Sequence, residues 1–287
     1  MMIVQQKCLV VGADGTLGHA LINYLTHQGW SVTGTTRRRD NEKLLYLDLS
    51  SEPSSWVLPN SVDLAVICAG ISDVVQCQHQ PEITAQINVA ATMRLIEILW
   101  ERGATVVYPS TNLVFNGELP KVKSMTTVSP SIEYGRQKAV IESLLLTGAG
   151  AVLRLGKVID GPMNVIHGWQ RALDRGEAIR AFVDYVFSPV SIQRTLWVIA
   201  MLMEQRLRGV FQMTAEDEMS YFELARTWAQ SRGLSVDIES VQVSETNLGF
   251  LARQHATLDD YEVKKILDIN SEKCSELLPV MIGIDYR

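Results

Sequence analysis

Short apolar runs alternate with longer segments in which apolar residues recur every three or four positions over the first 155 residues of the chain. A short apolar run between turn residues predicts a buried strand, and the longer period predicts an amphipathic helix. The predicted strands are 7–13, 31–37, 44–49, 62–70, 104–111 and 149–156, and the predicted helices are 16–29, 81–103 and 131–148. Apolar strands that alternate with helices are typical of a parallel sheet covered on both faces.

The alternation weakens after about residue 156. The pattern there predicts helices over 163–176, 193–207 and 220–233, and short strands over 209–214 and 236–241. We therefore predict an α/β fold in which a Rossmann-type, doubly wound parallel sheet is followed by a smaller α/β lobe. The predicted domains are a dinucleotide-binding domain over 1–156 and a mainly substrate-binding lobe over 157–287, with some later chain returning to the first domain.

The segment "GADGTLG" places Gly12, Gly15 and Gly18 directly between the first predicted strand and the first predicted helix. The first glycine permits a tight turn, the second lets the backbone approach a pyrophosphate, and the third lets helix and strand pack closely. The N–H groups at the start of a helix attract phosphate. The segment predicts a dinucleotide site, and the alternative is a turn with a purely structural role.

Arginines stand at the end of the second predicted strand, where NAD-binding proteins usually carry an acidic residue about 20 residues past the glycines. Arg37 and Arg38 in "TTRRRD" occupy this place. An arginine there accommodates a 2′-phosphate, which favours NADPH. The alternative is a solvated cationic loop. Asp48, at the end of the third predicted strand, is a candidate contact for the adenine or a cap for the next turn.

The segment "YGRQK" places Tyr134 and Lys138 on one face of a predicted helix, because residues i and i+4 are neighbours there. A free tyrosine has a pKa of about 10, and a nearby ammonium lowers it. We therefore expect Lys138 to lower the pKa of Tyr134, which would then exchange a proton with a carbonyl or hydroxyl. The Thr111 hydroxyl, after the fifth strand, is expected to bind the same oxygen. The alternative is an exposed pair on a surface helix.

The composition excludes several other classes of protein. The net charge is −6 and no long basic tract is present, which argues against nucleic-acid binding. The four cysteines, Cys8, Cys68, Cys77 and Cys274, form no CxxC pair, so we expect neither a metal site nor disulfides. No apolar run reaches the roughly 18 residues of a membrane span. The N-terminal stretch does not resemble a signal peptide, and we expect a cytoplasmic protein.

Taken together, the motifs resemble those of the extended short-chain dehydrogenase/reductase family. They are the GxxGxxG at 12–18, "LDLS" at 47–50, "CAG" at 68–70, "INVAAT" at 87–92, "PSTNLVFNG" at 109–117 and the YxxxK at 134–138. Within the family, the chain is most similar to the dTDP-4-dehydrorhamnose reductase group. The segments similar to that group are "STNLVFNG", "FSPVSI" at 187–192, the stretch 209–225 and "RQHATL" at 253–258.

The resemblance implies a reductase that transfers a hydride from NADPH, with NADH as the alternative, to a keto group of a nucleotide sugar. Its implied catalytic residues are Thr111, Tyr134 and Lys138. The implied cofactor-binding residues are Gly12, Asp14, Gly15, Thr16, Leu17, Gly18, Thr36, Arg37, Arg38, Asp48, Leu49, Ala69 and Gly70, together with Tyr134 and Lys138. The implied substrate-binding residues are Asn112 and Phe187, although Phe187 is equally interpretable as a core residue. A homodimer is compatible with the resemblance.

Departures from the pattern leave other functions open. Asn112 and Leu113 stand where the group has Asp and Tyr, and Lys157 stands where it often has Trp, so the sugar is not specified. A sugar-nucleotide epimerase or dehydratase is one alternative. Another is a non-catalytic nucleotide-binding regulatory subunit like that of methionine adenosyltransferase, which resembles the same group. Asn88, within the long predicted helix, is interpreted either as a holder of backbone behind the active site or as a partly exposed helix residue.

Overall fold

A computed structural model describes residues 6–284, so the outermost residues of both predicted domains, 1–5 and 285–287, lie outside the described part of the chain. The strands are β1 Lys7–Val11, β2 Ser31–Thr36, β3 Leu45–Tyr46, β4 Leu64–Ile67, β5 Thr105–Thr111, β6 Gly150–Leu155, β7 Lys157–Ile159, β8 Ile179–Phe182, β9 Val186–Phe187, β10 Pro189–Ser191, β11 Gly209–Met213, β12 Met219–Ser220 and β13 Ile238–Val241.

The helices follow the predicted positions closely, and several short helices are added to them. The helices are α1 Thr16–His27, α2 Val74–His79, α3 Pro81–Ala85, α4 Thr92–Glu101, α5 Glu133–Leu145, α6 Asn164–Asp174, α7 Ile192–Glu204, α8 Tyr221–Ser231, α9 Tyr261–Leu267 and α10 Cys274–Ile282. Between residues 6 and 284, no helix has both the length and the apolar character that a bilayer span requires.

Seven strands form one parallel sheet in the order β11-β6-β5-β4-β1-β2-β3. Strand β1 lies inside it, with Val10 opposite Gly34 of β2 on one side and Val66 of β4 on the other. Every residue of β4 and β5 is buried, as expected for inner strands of a parallel sheet that is covered on both faces. This sheet confirms the predicted Rossmann-type, doubly wound fold.

The predicted helix over 81–103 is interrupted, which corrects the prediction of one regular helix. Residues Gln86–Ala91 form a π-helical segment between α3 and α4. The Thr92 hydroxyl donates to the carbonyl of Ile87, five residues earlier, at 2.8 Å. The side chain of Asn88, within this segment, bonds to a loop outside the helix. Such π-helical insertions are frequent at functional sites.

The chain divides into two compact units. The first contains the residues up to 114, 133–154 and 192–211, and the second contains 115–132, 155–191 and the residues from 212 onward. The predicted boundary at residue 156 lies next to the junction at 154/155. Residues 115–132, however, belong to the second unit rather than to the predicted first domain, and 192–211 is chain that returns to the first unit.

The second unit has its own apolar core. Trp169 on α6 and Trp228 on α8 are both buried, and their ring centroids lie 6.0 Å apart. Phe187 is also part of this core, where it packs against the ring of Tyr221 at 5.0 Å. Strands β8 and β13 pair in parallel beside these helices. The core is built by residues far apart in sequence, and its aromatic side chains contribute much of the apolar area that is removed from water.

The glycine turn between β1 and α1 is packed at two of its three glycines. Gly12 has φ +82, and a Cβ there would lie 2.7 Å from the backbone of Ala69. A Cβ on Gly18 would lie 2.2 Å from the carbonyl oxygen of Gly12. Gly15 differs, because its nearest neighbour would be 3.5 Å from the added Cβ and its φ is −84. The protein's own packing therefore requires Gly12 and Gly18 but not Gly15.

We predict unequal effects on the free energy of unfolding for two alanine substitutions in this turn. Gly18→Ala forces a methyl group into backbone, so the free energy of unfolding should fall by about 2–3 kcal/mol. The matched control, Gly15→Ala, adds the same methyl group where no clash occurs, and its stability should stay within about 1 kcal/mol of wild type. Urea denaturation followed by circular dichroism measures both. Equal losses in the two variants would contradict this account of the turn.

Candidate active site

The start of helix α1 offers unpaired backbone donors. Gly15 caps the helix, no side chain hydrogen-bonds to its first N–H groups, and no acidic residue lies in its first turn. Such a helix end carries a partial positive charge and binds anions well. Since nothing in the protein's packing requires Gly15, the absence of a side chain there fits an approaching pyrophosphate.

A cleft of about 340 Å³ lies in the first unit, at the carboxyl ends of β1 and β2. Its lining includes the following predicted cofactor-binding residues: Gly12, Thr36, Arg37, Asp48, Leu49, Ala69 and Gly70. Asp14, Gly15, Thr16, Leu17, Gly18 and Arg38 do not line it. The lining also includes the loop after β4, from Ala69 to Asp73. Ala69 and Gly70 were predicted as cofactor-binding residues, and the other three were not.

The predicted arginines have different surroundings. Arg38 lies with Nε 3.4 Å from the Asp14 carboxylate and is largely exposed. The Thr36 hydroxyl donates to the same carboxylate at 2.9 Å and accepts from the backbone N–H of Arg38. Arg37 is exposed and lines the cleft. Arg39 stacks on the ring of Tyr46, 4.2 Å from the ring centroid. Of these three arginines, Arg37 is the one that lines the cleft.

Asp48 acts as a turn cap, which was one of its two predicted roles. Its Oδ1 accepts from the backbone N–H of Ser50 at 2.9 Å and from the Ser50 hydroxyl at 2.7 Å. The Ser50 hydroxyl bond lowers the pKa of Asp48, and the charges of Arg37 and Arg39 lower it further. Asp48 therefore stays ionised at neutral pH beside the cleft.

Tyr134 and Lys138 meet in a small pocket of about 70 Å³. Residues Ala69 to Ser72 line both this pocket and the larger cleft, so one loop joins the two sites. The Lys138 ammonium donates to the carbonyl of Pro109 at 2.9 Å and lies 4.2 Å from the ring centroid of Tyr108. The interpretation of the pair as exposed surface decoration is therefore wrong.

The pKa of Tyr134 shifts in the opposite direction to the prediction. Burial raises the pKa of Tyr134 well above its usual value, and the neighbouring Cys77 raises it further. Burial also lowers the pKa of Lys138 to about 8. The ammonium lies 5.8 Å from the centroid of the Tyr134 ring and donates its hydrogen bond elsewhere. Tyr134 is consequently protonated at neutral pH, which suits a proton donor.

The other predicted residues are arranged differently. Thr111 ends β5 and is buried, and its hydroxyl accepts from the backbone N–H of Leu113 at 3.2 Å. Thr111 does not line the Tyr134 pocket. Asn112 begins the turn that follows β5, 3.5 Å from the Thr111 hydroxyl. Phe187, 5% exposed, lies in the core of the second unit, which favours its interpretation as a core residue.

Asn88 holds the shared loop in place. Its side chain accepts from the N–H of Ile71 at 2.7 Å and donates to the carbonyl of the same residue at 2.9 Å. It also donates to Gln137 of α5 at 2.8 Å, and Gln137 donates to Thr84. Asn88 therefore holds the backbone of Ile71, and its burial excludes the interpretation as a partly exposed helix residue. Gln137 was not among the predicted site residues, although it stands within the YxxxK segment between Tyr134 and Lys138.

Among the described residues, no group of three or more histidine, cysteine or acidic side chains is arranged to hold a metal ion. The polar groups of the site are instead a helix N-terminus, an arginine, a tyrosine and a lysine. This donor set is suited to a phosphorylated organic cofactor and to a carbonyl or hydroxyl substrate.

Comparison with known proteins relates the chain to a family. The chain is 26% identical to methionine adenosyltransferase 2 subunit beta of Rattus norvegicus over 248 residues, 78% of this chain and 71% of the relative. It is 24% identical to the probable low-salt glycan biosynthesis reductase Agl14 of Haloferax volcanii over 225 residues, 74% of this chain and 75% of the relative.

The fold is similar to that of dTDP-4-dehydrorhamnose reductase from Bacillus anthracis, solved in complex with NADP. The TM-score is 0.80 at 18% identity, with 98% of this chain and all of the other covered. Residues 6–285 match the family model described as the RmlD substrate binding domain. The chain therefore belongs to the RmlD substrate-binding domain family, within the extended short-chain dehydrogenase/reductase class of oxidoreductases.

Proposed function

We propose that the protein is an NADPH-dependent reductase of a keto group on a nucleotide sugar. The observation that carries the proposal is the placement of Tyr134 and Lys138 in a pocket that shares the Ala69–Ser72 loop with the cleft of about 340 Å³. A proton donor beside a dinucleotide site is what carbonyl reduction needs. The names of the Haloferax and Bacillus anthracis proteins support a reductase and, for the second, a nucleotide-sugar substrate.

The residues of the first unit fit a dinucleotide. The N–H groups at the start of α1 would receive the pyrophosphate, next to the side-chain-free Gly15. Arg37 would contact the 2′-phosphate, and the Asp48 carboxylate would lie near the adenosine half. Lys138 would donate to the ribose of the nicotinamide half. When bound, the reduced nicotinamide supplies a hydride to the carbonyl carbon of the substrate.

Tyr134 supplies the proton in the proposed reaction. Because burial raises its pKa, the phenol is fully protonated at neutral pH and can hydrogen-bond the substrate carbonyl. As negative charge develops on that oxygen, the phenol transfers its proton to it. The nearby Lys138 ammonium stabilises the phenolate that remains. We propose that the Thr111 hydroxyl, at the end of β5, orients the same oxygen.

The second unit contains groups suited to a nucleotide sugar. The Nε of Arg253 is buried and has no hydrogen-bond partner among residues 6–284. Burial lowers the pKa of this guanidinium, and the nearby Tyr185 offsets part of that shift. Tyr185 stacks on Tyr221 at 5.0 Å between ring centroids. We propose that Arg253 receives the substrate diphosphate. The segment 187–192, in contrast, is buried along its whole length.

A regulatory subunit without turnover is the second candidate. The 26% identity to methionine adenosyltransferase 2 subunit beta favours it. Two features favour the reductase instead: Tyr134 and Lys138 are both retained, and both line a pocket. Turnover of any keto-sugar nucleotide by the purified protein decides between the two.

The first prediction for this function concerns the cofactor. NADPH should bind about 10–100 times more tightly than NADH, because a charge-assisted hydrogen bond contributes roughly 1.5–3 kcal/mol. Arg37→Ala should remove most of that preference by weakening NADPH binding alone. Arg39→Ala is the matched control, since Arg39 stacks on Tyr46. Isothermal titration calorimetry of each protein with both nucleotides measures the preference, and equal affinities in the wild type would exclude it.

The second prediction concerns the proton donor. Tyr134→Phe keeps the ring but removes the hydroxyl, so turnover should fall by about 10²–10⁴-fold while NADPH affinity changes little. The assay follows NADPH absorbance with a keto-sugar nucleotide that the wild type reduces. Tyr24→Phe, on α1, is the control for loss of a tyrosine hydroxyl elsewhere in the chain. Wild-type turnover by Tyr134→Phe would show that another group supplies the proton.

A further inference from the structure

A buried charged cluster lies behind the Tyr134–Lys138 pair. Arg154 of β6 donates to both carboxylate oxygens of Glu142, through Nη2 at 2.7 Å and Nε at 3.0 and 3.2 Å. The Ser110 hydroxyl of β5 donates to the same carboxylate. Glu142 and Arg154 are each 3% exposed at their side chains. One carboxylate therefore joins a helix and two neighbouring strands.

Stability alone is a weak reason for such a pair. Removing two charges from water is costly, and apolar residues of similar size often replace a buried ion pair without loss of stability. A buried pair that joins several elements is better explained by what it aligns. The residues next to Glu142 on α5 and next to Ser110 on β5 therefore indicate what the pair aligns.

The cluster touches the active site at two points. On α5, Glu142 follows Lys138 by four residues and Tyr134 by eight, so the three share one helix face. On β5, Ser110 lies between Pro109, whose carbonyl accepts from the Lys138 ammonium, and Thr111. The bond from Ser110 to Glu142 thus ties the helix of Tyr134 to the strand of Thr111.

We propose that Glu142 is a positioning residue which, with Ser110 and Arg154, fixes the end of β5 against α5 and supplies the negative charge that faces Lys138. This inference deepens the proposed function, on which its catalytic consequence rests. Glu142 itself takes no part in the proton or hydride transfer of the proposed reaction.

The electrostatic surroundings of Lys138 support the second half of the proposal. The titratable groups that act on the ammonium are Cys68, Cys77 and Glu142 through their charge, and Tyr108 and Tyr134 through their rings. Burial raises the pKa of the thiol of Cys68 to about 12, and it also raises the pKa values of Cys77 and of the two tyrosines. These four groups are neutral at pH 7, so Glu142, which also pairs with Arg154, is the group among the five that carries a negative charge.

The test measures the pKa of Lys138 in the ligand-free protein. Lysine labelled with ¹³C at Cε is titrated by NMR, and the Lys138 signal is assigned by its loss in Lys138→Arg. Glu142→Gln keeps the size and the acceptor for Ser110 but removes the charge, so the Lys138 pKa should fall by about one unit or more. Arg154→Met breaks the same ion pair but leaves the carboxylate, so it should not lower that pKa.

The contrast separates positioning from a structural role, because both variants disrupt the same pair and lose stability together. A fall in both variants, or in neither, overturns the proposal.

If the single variants do not fold, the double variant Glu142→Gln/Arg154→Met leaves no unpaired buried charge. Its Lys138 pKa should still lie below that of the wild type, and an unchanged value overturns the proposal.

Ser110→Ala tests the alignment of β5. It removes one hydrogen bond and no charge, so the Lys138 pKa should be unchanged while kcat falls about tenfold with little change in the KM for NADPH. An unchanged kcat overturns the alignment role. If the wild type reduces no keto-sugar nucleotide, the proposed function fails, whereas the Lys138 titration still decides whether Glu142 faces that ammonium.

Discussion

The close approach of the glycine turn to the end of β4 is the constraint on which the site depends. Gly12 leaves no room for a side chain against Ala69, so the turn and the loop that starts at Ala69 hold each other in place. That loop lines both the cleft and the tyrosine pocket. Asn88 holds it from behind through Ile71, and Gln137 links Asn88 to α5. The nucleotide turn and the acid–base helix are therefore parts of one hydrogen-bonded and packed framework.

Most of the fold could be predicted from local sequence patterns, because the inner strands of the central sheet are largely buried and rich in apolar residues. Gly12 was identifiable because it lies in a strand–turn–helix unit, and Tyr134 and Lys138 because they lie four residues apart on one helix. Residues 115–132 fall in the second compact unit, and the sequence does not reveal this because membership of a unit is set by long-range contacts. The pairing of Arg38 with Asp14 also joins two separate turns, and no periodicity reveals it.

The pKa of Tyr134 shows the limit of motif reasoning most clearly. A YxxxK spacing places a cation one helical turn from a phenol, and this alone would lower the pKa of the phenol. Burial acts in the opposite direction and prevails, because the ionised forms of both residues are poorly solvated in the pocket. How much water reaches a side chain depends on the surrounding fold, so the direction of the shift was not available from spacing.

The interleaving of the two units along the chain has a consequence for synthesis on the ribosome. The sheet is completed only by β11, Gly209–Met213, after the segments 115–132 and 155–191 of the other unit have already been made. A nascent chain that ends near residue 156 therefore carries β1 to β6 with an open sheet edge on the side that β11 later covers. The sheet of the first unit is therefore complete only when the later chain has been made, and until then the edge of β6 is open to pairing with other strands.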